Sequence, residues 1–97
     1  MVNTPQQLEA SLKTLKPFLA EKFDIRKIGY FGSFAANEQN KDSDVDIVVE
    51  LGSPLGWEFF DIEILLENAL ERKIDLFTTK SIKARLKEKI LASTKFV

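Results

Sequence analysis

The sequence predicts an α/β (α+β) domain, a small mixed β-sheet of about three strands packed with helices. Three observations carry that expectation. Apolar residues at helical spacing alternate with short runs rich in Val, Ile and Phe. Alternation of this kind argues for one sheet covered by helices. The 97 residues, 44% hydrophobic and 30% charged, suit a single domain, residues 1–97, able to bury roughly 60–65% of its unfolded surface.

Each element follows from local chemistry. Thr4-Pro5 starts a helix, with Thr4 as cap and Pro5 in the first turn. Leu8, Leu12, Leu15, Phe18 and Leu19 then share one face, up to about Phe23. Residues 27–31, with Ile28, Tyr30 and Phe31, read as a strand that Gly32-Ser33 ends. Residues 34–39 suit a short helix or turn, and 37–44 a polar loop. Residues 44–51 form a second strand, closed by the turn cluster Gly52-Ser53-Pro54-Leu55-Gly56. Residues 57–72 read as a helix with Phe59, Ile62, Leu66 and Ala69 on one face, widened by Phe60, Ile64 and Leu65. Residues 73–78 form a third strand. Thr79 or Ser81 then caps a last helix carrying Ile82, Leu86, Ile90 and Leu91.

Composition removes several chemistries. With no Cys there is no disulfide framework and no thiolate zinc site. With no His the commonest general base and transition-metal ligand are absent. A bound metal must then be held by oxygen, which favours magnesium, manganese or calcium. The net charge of −1 conceals a net −6 over residues 1–79 and a net +5 over 80–97. That balance argues against direct nucleic-acid binding, although the basic end suits phosphate or an acidic partner. Neither a signal-peptide pattern nor a membrane-span-length apolar run is present, so the expected location is the cytoplasm.

The chemistry-bearing residues are Gly32-Ser33, then ten residues, then Asp44-Val45-Asp46. On a strand Asp44 and Asp46 project to one face, while Val45, Ile47 and Val49 project to the other. Like charges in an apolar strand are unfavourable unless a cation neutralises them. Asp75 sits between Ile74 and Leu76 and joins the same face if its strand pairs beside the second. An isolated Asp-x-Asp is more often turn chemistry than a metal site; three aspartates in two apolar strands favour a metal site. Gly32 permits positive φ and close approach of a ligand, and Ser33 adds a hydroxyl at the mouth of the next turn. Alone, the pair reads as an ordinary capped turn.

These residues resemble the signature of the DNA polymerase β-type nucleotidyltransferases. The segments 28–35 and 43–50 resemble the minimal nucleotidyltransferases, antitoxin partners of HEPN-domain proteins; 72–78 resembles their third-carboxylate strand. The likeness runs from about residue 8 to 97. It implies a polymerase-β-like core and Mg2+-dependent transfer of AMP from ATP, with two metal ions. In that reading Asp44, Asp46 and Asp75 are catalytic metal ligands, and Gly32 and Ser33 hold the triphosphate. Ala36-Asn37 stands where the family often has Arg-Gly; Asn tolerates the left-handed conformation that such a turn needs.

The implied acceptor is a hydroxyl of a partner protein, a HEPN-type toxin, with this chain as the antitoxin. Two alternatives stand beside it: neutralisation of the partner by binding with weak or no catalysis, and transfer to a small antibiotic-type molecule. Self-association is left open. Trp57, Phe59 and Phe60 suit either a core position or an exposed anchor, the core being the commoner use. Lys83, Arg85, Lys87 and Lys89 give the last helix a basic side, which is ordinarily a solvated face.

Overall fold

A four-stranded sheet organises the chain in the computed structural model, which describes all 97 residues. In chain order the elements are α1 (Pro5–Phe23), β1 (Ile25–Phe31), α2 (Gly32–Ala35), β2 (Val45–Leu51), α3 (Glu58–Leu70), β3 (Ile74–Thr78), α4 (Ala84–Ser93) and β4 (Lys95–Phe96). The strand order across the sheet is β3-β2-β1-β4. β1 pairs antiparallel with β2 and with β4, whereas β2 and β3 are parallel. Helix α3 makes the crossover that a parallel pair requires.

The core lies on one face of the sheet. Leu8, Leu12 and Leu19 of α1 and Ile62, Leu66 and Leu70 of α3 pack against Ile28, Tyr30, Val45, Ile47, Val49, Ile74 and Leu76. Strand alternation delivers the expected Val45-Ile47-Val49 row to this core. Thr4 caps α1 as expected: its Oγ1 accepts from the Gln7 amide, and Gln7 Oε1 accepts from the Asn3 amide. That reciprocal pair satisfies two amides at the helix start.

Four expectations are corrected. The sheet has four strands, not about three. Lys95–Phe96 is too short to show any period, yet it pairs with Gly29 and Tyr30, and the Val97 amide donates to the Ile28 carbonyl. β1 starts at Ile25, because a bulge between Ile25 and Lys27 lets Arg26 and Lys27 both face water. The last helix begins at Ala84 rather than just after Thr79 or Ser81. Thr78 and Ser81 instead close a turn on each other, each hydroxyl accepting from the other's amide. Finally, Phe60 and Ile64 do not widen the buried face of α3: they are 53% and 56% exposed, and Trp57 is 83% exposed. Ile62, Leu66 and Leu70 fill the space over the sheet with Phe59 and Leu65 packed at its margin, so Phe60 and Ile64 turn outward.

Candidate active site

Parallel pairing of β2 and β3 sets Asp46 directly opposite Asp75. Antiparallel pairing of β1 and β2 sets Phe31 opposite the same Asp46. The Gly32-Ser33 turn therefore leaves β1 beside the two facing carboxylates. The conditional expectation for Asp75 is met: one register brings it to Asp46. Asp44 lies one residue before β2 and is exposed, as is Asp75, whereas Asp46 is half-buried.

Electrostatics identify Asp46 as the constrained member. Its carboxyl is pushed up to about 6, first by burial, then by the negative charges of Asp75 and Asp44, with a hydrogen bond to Asp75 adding to the effect. Three carboxylates are thus close enough to feel one another, although they do not close into a ready-made three-ligand cage. An all-oxygen donor set under like-charge repulsion fits a hard divalent cation, which would bind the carboxylates and relieve the repulsion.

Gly32 is used for its missing side chain. Its φ is +69°, and a Cβ at this position would lie 2.1 Å from Oδ2 of Asp46. The backbone of the turn is packed directly on the carboxylate. Ser33 is half-buried in the single-turn α2, which Ala36 caps, and Asn37 follows at φ 57°. The left-handed residue that the turn needs is therefore supplied by Asn. On the same sheet face, Phe31 and Phe77 meet with centroids 5.6 Å apart. Their strands flank β2, in which Val48, the register partner of Phe77, is fully buried.

One residue escaped the sequence reading. Arg72 is the only buried charged residue. Its Nε donates to the Val2 carbonyl, Nη1 to the carbonyls of Lys41 (3.2 Å) and Ser43 (2.8 Å), and Nη2 to Asn3 Oδ1 (3.2 Å). The guanidinium also lies 5.2 Å from the centre of the Phe34 ring. Within Arg72-Lys73 nothing in the sequence tells which cation is buried. The only available signal was position, three residues before Asp75.

The other candidates fall outside this site. Lys83, Arg85 and Lys89 are exposed, and no basic residue of α4 makes an ion pair. A cleft of about 330 Å³ lies at the opposite ends of β2 and β3, lined among others by Glu50, Leu55, Phe59, Thr79 and Lys80. No helix is long and apolar enough to cross a membrane.

Most of the chain is similar to known proteins. A family model described as "Polymerase beta, Nucleotidyltransferase" matches residues 13–97. The protein adenylyltransferase MntA of Thermococcus cleftensis is 35% identical over 95 residues, covering 97% of this chain and 96% of that protein. A provisionally named protein adenylyltransferase of Methanocaldococcus jannaschii is 39% identical over 82 residues, 84% of this chain and 95% of the relative. Among solved structures, one provisionally described as a minimal nucleotidyltransferase superposes with a TM-score of 0.83 at 22% identity, covering 96% of this chain and 95% of its own. A toxin–antitoxin crystal structure with AMP-PNP gives 0.76 at 24% identity, covering 91% and 70%.

Proposed function

The chain belongs to the polymerase beta nucleotidyltransferase family, and on that premise we propose that it transfers AMP from ATP to a hydroxyl group of a partner protein. The observation that carries this reading is Asp46 facing Asp75 with Gly32 packed against the Asp46 carboxylate. The names of the relatives support protein adenylylation in particular. Solved neighbours described as the toxin–antitoxin MntA-HepT support an antitoxin role with a HEPN-type toxin as partner.

In this reading Asp44, Asp46 and Asp75 hold two Mg2+ ions. Ions held by these carboxylates would supply the positive charge that offsets phosphate charge during the transfer. Gly32 and Ser33 would supply backbone amides and a hydroxyl to the triphosphate, at a turn held against Asp46 by the missing Cβ. Asp75, exposed on β3 opposite Asp46, takes up the proton of the acceptor hydroxyl. The acceptor oxygen bonds to the α-phosphorus, the bond from that phosphorus to the bridging oxygen breaks, and pyrophosphate leaves. Positioning and charge neutralisation carry most of such a reaction, so a chain without His is competent for it.

The test is incubation of the protein with Mg2+, ATP labelled on the α-phosphate, and the product of the neighbouring gene. Label is expected on that product with the native chain and not with Asp44→Ala/Asp46→Ala. Absence of transfer, or equal transfer by the double variant, overturns the reading. Protection of cells by the double variant would establish neutralisation by contact instead.

A further inference from the structure

The geometry points to Arg72 as the positioning residue of the site: we infer that one buried guanidinium sets the relative placement of the three segments that carry the chemistry. The inference rests on the nucleotidyl-transfer reading for its consequences, but not for its geometry.

The contacts of Arg72 end close to each candidate catalytic residue. Its Nη1 holds the carbonyl of Ser43, the residue immediately before Asp44, and the carbonyl of Lys41 in the same loop. Its guanidinium carbon lies over the ring of Phe34, the residue immediately after Ser33. Its own backbone leads through Lys73 into β3 and reaches Asp75. Val2 and Asn3 complete the ring of acceptors from the segment before α1. The loop entering β2, the turn after β1 and the entry to β3 therefore meet on a single side chain.

The choice of residue is physically specific. Arg72 makes no ion pair, so carbonyl dipoles and one aromatic face balance its charge. Burying a cation on these terms is unfavourable unless its donors are well satisfied. A guanidinium has five N–H donors fixed in a plane and stacks on aromatic rings. The carbonyls of Val2, Lys41 and Ser43 belong to two separate segments, and a planar fork reaches both at once. An ammonium is a point donor on a flexible stem and cannot bridge them in the same way. Ordinary core packing does not call for such a group. The Ser43 bond and the contact with Phe34, a core residue next to Ser33, tie it to the segments that carry the site.

The variants that test this are Arg72→Lys, which keeps the charge and loses the fork, and Arg72→Ala, which leaves room for free guanidinium. Amide hydrogen exchange is read first. For Arg72→Lys, faster exchange is expected at residues 41–46 and 32–37, with α1 and α3 unchanged. Transfer is then read with saturating Mg2+ and ATP. A displacement on the scale of an ångström typically lowers turnover about 100-fold, so kcat should fall by about that factor with KM for ATP altered only a few-fold. Guanidinium, at concentrations below those that unfold the protein, should restore about a tenth or more of the lost rate to Arg72→Ala, and methylammonium should not. Exchange that accelerates uniformly across the sheet, or native exchange and turnover in Arg72→Lys, overturns the inference. If Arg72→Ala does not fold, Arg72→Lys alone decides. If even the native chain shows no transfer, the functional reading fails while the exchange result still judges Arg72.

Discussion

Gly32 and Asp46 are packed so closely that a single added methyl at Gly32 would stand 2.1 Å from a carboxylate oxygen. The turn and the acidic strand thus occupy one space. That contact makes Gly32 a steric requirement as well as a conformational one, since its φ of +69° is itself disfavoured for other residues.

Gly32→Ala should therefore fail twice over. The left-handed backbone costs about 1–3 kcal/mol for a residue with a Cβ, and relief of the clash must move Asp46 or the turn. Denaturant unfolding is expected to show a loss of at least about 1 kcal/mol. Transfer activity is expected to drop by about 100-fold or more as the carboxylate shifts. Unaltered activity at full stability would mean that the turn and Asp46 move independently.

Asp46 makes stability depend on pH in a defined direction. Its carboxyl is raised from the ordinary aspartate range to about 6. The folded state therefore holds a proton that the unfolded state has lost between about pH 4 and pH 6. The contribution is fully present below about pH 4, declines as pH rises, and is gone above about pH 6. Because Asp46 is only half-buried, solvent screening reduces the effect to about 1 kcal/mol. Asp46→Asn should accordingly stabilise the protein by about that amount near neutral pH and not near pH 4. Mg2+ should raise the Tm of the native chain near neutral pH, less so near pH 5 where the proton competes, and a chelator should reverse the gain.

Much of this site was legible because strand alternation is a rigid rule. It put Asp46 on the face opposite Val45, Ile47 and Val49, and register then brought in Asp75, whereas Asp44 lies just before the strand. What stayed illegible depends on contacts between distant segments. Lys95–Phe96 becomes a strand only because β1 offers an edge. Trp57 and Phe60 look like core residues on hydrophobicity, yet Ile62, Leu66 and Leu70 claim the buried side of α3. Arg72 looks like any surface cation until carbonyls from two other segments converge on it.

Tyr30 supplies a second pH dependence, at the alkaline end. Its ring is fully buried and its hydroxyl donates to Glu9 Oε2 at 2.5 Å, joining β1 to α1. Burial first, then the hydrogen bond to Glu9 and that residue's charge, raise the phenol well above its ordinary value. The contribution is full below about pH 10 and is lost as pH rises further, because only the unfolded chain releases the proton there. As the only Tyr in the chain, it should show no phenolate absorbance near pH 10–11 until the protein unfolds. Tyr30→Phe should lose about 1 kcal/mol and abolish the coupling between ionisation and unfolding.

Gly29 tests whether the short fourth strand belongs to the fold or merely rests against it. A Cβ there would meet Thr94 Cγ2 at 2.8 Å, the Lys95 carbonyl at 2.9 Å and Phe96 Cδ1 at 2.9 Å. By strand propensity Gly29→Val should be favourable, since Val is among the best strand formers and Gly among the poorest. By packing it should be unfavourable, because Val97 is also bound through its amide to Ile28 and its carbonyl to Lys16 Nζ, so the C-terminal segment has little freedom to withdraw. Overpacking of about 1–3 kcal/mol outweighs a propensity difference of about 1 kcal/mol, so net destabilisation is expected. Displacing β4 would also bare the β1 edge, and an open edge recruits other strands. Gly29→Val should therefore lower the unfolding midpoint and show concentration-dependent aggregation. A stabilised, monomeric Gly29→Val would mean that β4 contributes nothing to holding β1.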